Sequence, residues 1–230
     1  MTICIIPARS SSKQIKNKNI KRFDGKPIIS YAIRLAQSSG LFKRIVVSTD
    51  SHKISKIAKK YGAEVPFLRS KKLANDFTPT PDVLIDCIKK ISSQATKYHF
   101  CLYPTTTLVL KKDLINSFKK IKKINFDHLS SVSEYDASPY RALRFVGKNR
   151  IEFNSKKFAL TRSQNLPRLC RDSGSFTIHR TKSLLKYNRK LPKKTTYYFI
   201  DKYRCIDIDT ESDFKLAEFI FKYFNKQVKL

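Results

Sequence analysis

The chain has 230 residues, of which 41% are hydrophobic, so it can bury one α/β core, and it contains no run near the ~20 apolar residues of a membrane helix. It carries 48 Lys+Arg against 18 Asp+Glu, a formal net charge of +30. The lysines are scattered over the predicted helices, without a recognition-helix stripe, an RNA-binding aromatic strand or a zinc motif. A lysine-rich solvated surface is therefore favoured over nucleic acid binding, although the charge would attract anionic substrates.

The cysteines and the N-terminus bear on the compartment. The five cysteines form no C-x-x-C pair, and four of them lie in apolar runs that are typical of buried thiols. The N-terminus enters a strand-like segment directly, without the layout of a signal peptide. We therefore expect a cytoplasmic protein in a reducing compartment.

Short apolar strands alternate with amphipathic helices along most of the chain. Pro27 and Gly40 mark the start and the end of the first helix, and Thr210 and Asp213 form a capping box at the start of the last. This alternation predicts right-handed βαβ units and a Rossmann-like, doubly wound, mostly parallel sheet. The predicted strands are 2–6, 44–48, 63–67, 99–103 and 129–133, and the predicted helices are 27–39, 51–62, 82–93, 111–124 and 210–224.

The alternation is interrupted after Val132. Residues 135–170 contain a hairpin pattern around Gly147-Lys148-Asn149, and a strand and a helix resume at GSFTIHRTKSLLKY. We interpret residues 135–170 as an arm inserted into a single domain that spans residues 1–230.

A basic loop follows the first predicted strand. It carries Arg9, Lys13, Lys16 and Lys18 together with several serines, and such a loop suits phosphate groups. The loop matches neither the Walker A pattern nor G-x-G-x-x-G, so an ordinary P-loop kinase or dinucleotide-binding fold is not expected.

Two carboxylates stand near the other end of the chain, in RCIDIDTE. We expect a strand there, whose alternation would send Asp207 and Asp209 to the same face. Paired carboxylates suit Mg²⁺. Because ligands of open α/β sheets bind outside the carboxyl ends of the strands, the metal and the basic loop would meet there. Together they predict a nucleoside triphosphate site.

Several linked segments resemble the acylneuraminate cytidylyltransferase family, which makes CMP-activated nonulosonic acids and is related to CMP-Kdo synthetases. The resemblance covers nearly the whole chain and implies a fold of the nucleotide-diphospho-sugar transferase type. The segments that carry it, in the family's order and spacing, are IPARSSSKQIKNKNI, IVVSTDSHKISKIAKKYGAEVPFLRSKKLANDFT, YPTTTL and IDIDTESDFKLAE.

The resemblance implies attack of the anomeric hydroxyl of a sugar on the α-phosphate of CTP, with release of pyrophosphate. It also implies that Arg9 and Lys18 are catalytic and that Asp207 and Asp209 hold Mg²⁺. The nucleotide-binding residues that it implies are Ala8, Arg9, Ser11, Lys13, Lys18, Asn19, Arg69, Asp76, Tyr103 and Pro104.

Within the family, LTRSQNLPRLCRDSGSF is most similar to the branch that acts on pseudaminic acid. The resemblance also implies a homodimer formed through the arm, and a product used in surface glycan or flagellin glycosylation. The sugar-binding residues that it implies are Arg162, Ser163, Gln164, Asp172 and Ser173.

The chain departs from the family pattern in its first loop, which reads ARSSSK where ARGGSK is usual. If the loop requires positive φ at Ser10 or Ser11, serine would cost ~1 kcal/mol or more relative to glycine. PTTTLV also lacks the second proline and the arginine of the family's PTSP-like element, and Arg171 replaces a histidine or tyrosine. These departures motivate one alternative, a CTP-binding protein with weak catalysis.

Other interpretations remain open at this stage. The sugar could be legionaminic acid, sialic acid or Kdo, and the charge alone would suit a nucleic acid binder. Asp207 and Asp209 could be a helix cap with a solvated neighbour, and Arg69 could form an ion pair with Asp76. The segment 162–164 could be purely structural. The four histidines form no ligand cluster, and none is expected to be catalytic.

Overall fold

The computed structural model describes residues 2–12, 14–187 and 190–227. Its helices are α1 (Ile29–Ser39), α2 (His52–Lys60), α3 (Thr80–Lys90), α4 (Lys111–Ile124), α5 (Thr181–Leu184) and α6 (Glu211–Gln227). Its strands are β1 (Thr2–Pro7), β2 (Arg22–Phe23), β3 (Lys26–Pro27), β4 (Phe42–Ser48), β5 (Tyr98–Leu102), β6 (His128–Glu134), β7 (Leu143–Val146), β8 (Arg150–Phe153), β9 (Cys170–Arg180) and β10 (Thr195–Phe199).

Six strands form one sheet in the order β10-β6-β9-β5-β1-β4. β1 is parallel to β4 and β5, and β10 is parallel to β6, whereas β9 is antiparallel to both of its neighbours. Helices α1, α2 and α4 pack on one face, and α3 and α5 pack on the other. This arrangement confirms the predicted doubly wound, mostly parallel sheet.

Successive residues of β1 serve opposite faces of the sheet. Cys4 and Ile6 pack with α1, α2 and α4, whereas Ile3 and Ile5 pack with α3. Because helices cover both faces, every side chain of the strand interior is removed from water, which explains its uninterrupted apolar sequence.

β9 is followed by α5, as the sequence pattern predicted, but the strand runs against its neighbours. β6 ends at Glu134, which pairs with Cys170 at the start of β9. The arm therefore leaves the sheet and re-enters it at the carboxyl end of β6. From there β9 must run in the opposite direction to β6. Within the arm, β7 and β8 form the predicted hairpin, with Gly147 at φ +69° in its turn.

The start of the first predicted helix and the predicted strand 63–67 are wrong. The first helix begins at Ile29, because Pro27 belongs to a two-residue strand that pairs with β2 across the Asp24-Gly25 turn. Residues 63–67 do not form a full strand. They contribute one isolated bridge, between Glu64 and Val46 of β4.

Residues 205–209 do not form the predicted strand either. β10 lies at the opposite edge of the sheet from β4, so the chain must cross the ends of other strands to return to the first loop. Along this path Arg171 Nη2 donates to the carbonyl of Cys205 at 2.7 Å, and Lys18 Nζ donates to the carbonyl of Ile208 at 2.6 Å. These side chains take carbonyl groups that a strand would offer to its neighbour.

Within the described ranges, none of the helices combines the length and the apolar character that crossing a bilayer requires.

Candidate nucleotide site

A cavity of about 660 Å³ opens at the carboxyl edge of the sheet. It lies where β1 separates β4 on one side from β5 on the other, the switch point at which open α/β sheets bind ligands. The first loop, the segment before α3, the turn after β5 and the segment before α6 contribute its walls. The lining residues that the sequence predicted are Arg9, Ser11, Lys18, Asn19, Arg69, Asp76, Tyr103, Pro104, Asp207 and Asp209.

The first loop is tied to the opposite wall of the cavity. Arg9 Nη1 lies 2.5 Å from Asp76 Oδ1, and the Asn19 side-chain amide donates to the carbonyl of Arg9 at 2.8 Å. Ser11 Oγ donates to the carbonyl of Ala74 at 3.4 Å. Asp76 thus forms an ion pair with Arg9, and the Arg69–Asp76 pair considered from the sequence is not formed among the described residues.

The serines of the first loop carry no conformational penalty of the kind expected from the sequence. Neither Ser10 nor Ser11 has positive φ, and among the described residues of this loop Asn17 is left-handed, at φ 56°. Ser10 instead bonds to Asp50 through both its amide, at 2.8 Å, and its hydroxyl, at 2.5 Å. The expected cost of replacing glycine is therefore wrong for this backbone.

Lys18 connects the two ends of the chain. Its ammonium group donates to the carbonyl of Ile208 at 2.6 Å and to Asp209 Oδ1 at 3.3 Å. The residue lies in a short 3₁₀ turn, Lys18–Ile20, which the left-handed Asn17 opens. The turn aims the lysine at the acidic segment and holds a positive charge at the cavity wall.

The two aspartates occupy the same cavity wall although no strand carries them. Burial, and next the charge of Asp209, raise the pKa of Asp207, whereas Lys18 and Arg171 act in the opposite direction. With its amide nitrogen turned toward Asp209, Gln14 donates to Oδ1 at 3.0 Å. Burial and the neighbouring carboxylate therefore both disfavour the charged form of Asp207.

The cap of α6 is made by other residues. The Thr210 amide donates to Asp213 Oδ2 at 2.7 Å, and the Asp213 amide donates to Thr210 Oγ1 at 3.2 Å. This confirms the predicted capping box. It also removes the interpretation of Asp207 and Asp209 as a helix cap, because Thr210 has that role.

Arg69 is a buried cation at the cavity. The residue is 5% exposed, and its Nε and Nη2 donors are buried with no hydrogen-bond partner among the residues that the structure describes. Its amide donates to the carbonyl of Thr49 at 2.8 Å, which fixes its place beside β4. Burial lowers the pKa of the guanidinium, and the charge of Asp50 raises it. Unsatisfied buried donors on a cation are costly, and an anionic ligand would satisfy them.

The turn after β5 closes the far side of the cavity. The Tyr103 amide donates to the carbonyl of Ser175 at 3.0 Å, and Thr106 Oγ1 donates to the same carbonyl at 2.8 Å. Burial raises the pKa of the Tyr103 hydroxyl, which stays neutral. These contacts fasten the turn that contains Pro104 to β9.

Some of the predicted residues do not reach the cavity. Ala8 is fully buried behind it, and its amide donates to the carbonyl of Ser48. Lys13 lies outside the described residues. None of the five predicted sugar-binding residues lines the cavity. Arg162, Ser163 and Gln164 are exposed in the arm, Asp172 accepts a bond from the Gly174 amide, and Ser173 is buried against Ser131.

The cavity also contains residues that the sequence analysis missed. Their polar groups come from loops that it had placed at this edge, but no spacing distinguished them from ordinary loop residues. Gly174, at φ +62°, lies close to Asp207 and could have been suspected from the Asp-x-Gly turn. The missed lining residues are Pro7, Ser12, Gln14, Leu73, Asn75, Thr78, Thr80, Val83 and Gly174.

The aspartate pair suits a hard divalent cation. Among the described residues, no side chain hydrogen-bonds to the Asp207 carboxylate, so its oxygens are available for a cation. No third histidine, cysteine, aspartate or glutamate completes a metal cluster in the described part of the chain. Mg²⁺ commonly binds through one or two carboxylates and completes its shell with phosphate oxygens and water, so the donor set fits.

Known proteins are similar to this chain over nearly its whole length. The family profile described as cytidylyltransferase matches residues 3–228. Pseudaminic acid cytidylyltransferase of Campylobacter jejuni is 33% identical over 222 residues, which cover 96% of each chain. CMP-N,N'-diacetyllegionaminic acid synthase of the same species is 33% identical over 235 residues, 99% of this chain and 97% of the relative.

The fold is also found among solved structures. The structure of CMP:2-keto-3-deoxy-manno-octonic acid synthetase complexed with CTP superposes with a TM-score of 0.73 at 14% identity, covering 97% of this chain and 99% of the other. A cytidylyltransferase from Leptospira borgpetersenii gives a TM-score of 0.62 at 19% identity, covering 99% and 93%. At these identities the likeness shows a shared fold.

Proposed function

The chain belongs to the cytidylyltransferase family and is a nucleotidyltransferase, and we propose that it transfers CMP from CTP to the anomeric hydroxyl of pseudaminic acid. In this reaction the hydroxyl oxygen bonds to the α-phosphorus, the bond from that phosphorus to the bridging oxygen breaks, pyrophosphate leaves, and the hydroxyl proton is released. The observation that supports it most is one cavity that combines the cations of Arg9, Lys18 and Arg69 with a carboxylate pair.

Three cations have complementary roles in this proposal. The Arg9 guanidinium offers a fork of donors to phosphate oxygens once it leaves Asp76, and Lys18 offers a point charge. The amide of Arg69 is bonded to Thr49, just after β4, and two of its side-chain donors have no partner among the described residues. Their combined charge would position the triphosphate and stabilise the negative charge that develops on the leaving pyrophosphate.

Asp207 and Asp209 hold Mg²⁺ in this proposal. When bound, the ion would neutralise phosphate charge and lower the pKa of a coordinated hydroxyl. The residues of the chain prepare that site. Lys18 and Gln14 fix one oxygen of Asp209, and the raised pKa of Asp207 marks a carboxylate that gains from a nearby cation.

The arm belongs to the proposed sugar site and to a proposed homodimer. The arm exposes large apolar side chains, among them Phe145 in its hairpin, which is 89% exposed, and Leu160 beyond the hairpin, which is 97% exposed. Such side chains are typical of protein interfaces. Pairing of two arms could bring Arg162, Ser163 and Gln164 to the partner's cavity, which none of them lines within its own chain. A cytoplasmic location fits CTP as the substrate.

A second candidate sugar is N,N'-diacetyllegionaminic acid, because the relative named for its CMP derivative is as identical to this chain as the relative named for pseudaminic acid. The test is pyrophosphate release from CTP and Mg²⁺ with pseudaminic, legionaminic and N-acetylneuraminic acids and Kdo offered separately. We expect pseudaminic acid to give the highest kcat/KM. A higher value with legionaminic acid would assign the chain to the second candidate.

A further inference from the structure

Asp50 lies outside the cavity but makes two contacts with Ser10, a residue of the nucleotide-binding loop. Asp50 Oδ1 accepts from the Ser10 amide at 2.8 Å, and Oδ2 accepts from the Ser10 hydroxyl at 2.5 Å. Both carboxylate oxygens are therefore used by one residue. Neither Ser10 nor Asp50 lines the cavity, so the pair acts behind the cavity wall.

The contact continues the pairing of β1 with β4 beyond the sheet. Pro7 pairs with Ser48 at the end of the strands, and the Ala8 amide donates to the carbonyl of Ser48 at 2.9 Å. Two residues further along, Ser10 meets Asp50. The loop is thus clamped to the end of β4 at the point where Arg9 leaves the sheet and enters the cavity.

Asp50 also acts on Arg69. The backbone of Arg69 is bonded to Thr49, the residue before Asp50, and the charge of Asp50 favours the protonated guanidinium against the effect of burial. The repulsion between Arg9 and Arg69 works against that protonated form. One carboxylate therefore fixes the loop that carries Arg9 and supports the charge of Arg69.

We infer that Asp50 is a positioning residue for the triphosphate, acting through the Ser10 hydroxyl and through the charge of Arg69. The inference rests on the proposed use of CTP and adds a residue to it. The serine that replaces glycine in the usual family pattern has a role here, because glycine would keep only the amide bond to Asp50. The two bonds reduce the freedom of the loop before the nucleotide arrives.

The test is the affinity for CTP, measured by calorimetry on the full chain, in a double-mutant cycle of Ser10→Ala and Asp50→Asn. We expect Ser10→Ala to weaken binding about fivefold and Asp50→Asn about tenfold. Because both changes break one contact, the double variant should be no weaker than about tenfold. Ser10→Thr, which keeps the hydroxyl, should bind within about twofold of the wild type.

Glu64→Gln is the control, because Glu64 pairs with Arg44 at the surface of the sheet edge and its change should leave CTP affinity unaltered. Steady-state kinetics should show a raised KM for CTP and an unchanged KM for the sugar, which general destabilisation would not produce. Additive losses, or CTP affinity within about twofold of wild type for Asp50→Asn, would overturn the inference. A wild type that does not bind CTP would overturn the proposed function as well.

Discussion

The ammonium group of Lys18 lies 2.6 Å from the carbonyl oxygen of Ile208 and 3.3 Å from Oδ1 of Asp209, so one side chain joins the first loop of the chain to the last. The contact spans 190 positions of sequence to Ile208. It places a cation where the first loop and the acidic segment meet at the cavity, and it holds the acidic segment that no strand supports.

Replacing Lys18 tests its role toward the nucleotide. Lys18→Ala should reduce kcat/KM for CTP by roughly 10- to 100-fold, because a charge-assisted contact to phosphate is lost. The KM for the sugar should change little. Lys16→Ala is the matched control, because Lys16 is an exposed lysine of the same loop and does not line the cavity. An effect confined to the sugar KM would contradict the phosphate role.

Removal of one carboxylate tests the metal site. Asp209→Ala should abolish Mg²⁺-dependent turnover and leave the circular dichroism spectrum unchanged, because Thr210 and Asp213 cap α6 without the Asp209 side chain. Glu211→Ala serves as the control, since Glu211 makes a surface ion pair with Lys21. Turnover of the Asp209 variant at the wild-type rate over a Mg²⁺ titration would rule out the metal assignment.

A row of buried histidines predicts acid sensitivity of the fold. His99 pairs across the sheet with His179, which pairs with His128. Burial lowers the pKa of His99 and of His128 from 6.5 to about 4, and it lowers the pKa of His179 well below 6.5. As the pH falls from 6.5 toward 4, these histidines become protonated in the unfolded chain but stay neutral in the folded chain. The free energy of unfolding therefore decreases in that window.

The measurement is urea unfolding at pH 7.5 and pH 5. We expect a loss of roughly 2 kcal/mol from His99 alone, with a similar contribution from His128. His99→Gln should remove its share of the pH dependence, whereas His52→Gln, at an exposed position, should not alter it. A free energy of unfolding that is constant between the two pH values would show that these histidines are not held neutral.

The exposed hairpin of the arm predicts self-association. We expect sedimentation velocity to show a dimer for the wild type and a monomer for Phe145→Asp, because a charge placed in an apolar interface is costly to bury. Phe77→Asp is the control, since Phe77 is 90% exposed but lies outside the arm. A monomeric wild type, or a Phe145→Asp variant that stays dimeric, would contradict the proposed interface.

The elements that could be predicted are those whose pattern is formed by residues close together in the sequence. Residues 111–124 show a full helical period and form α4 within the predicted bounds, and the apolar residues 2–6 lie in β1. The hairpin of the arm and the capping box of α6 also depend on neighbouring residues. Such patterns need no knowledge of distant contacts.

What the sequence could not supply depends on topology. The direction of β9 follows from the end of the strands at which the arm re-enters the sheet, beside the last residue of β6. Residues 205–209 have the alternation of a strand, but the chain there crosses the sheet edge and bonds to Arg171 and Lys18. The ion pair between Arg9 and Asp76 and the negative φ of Ser10 are likewise set by tertiary contacts, which the spacing of residues along the sequence does not encode.

The most direct test of the central claim is identification of the product formed from CTP, pseudaminic acid and Mg²⁺ by the wild-type chain. We predict a CMP ester of the intact sugar, detected by mass spectrometry, with one pyrophosphate released for each ester formed and no product from ATP. Release of phosphate or pyrophosphate without a CMP–sugar ester, or no reaction although CTP stabilises the protein against heat, would contradict the account.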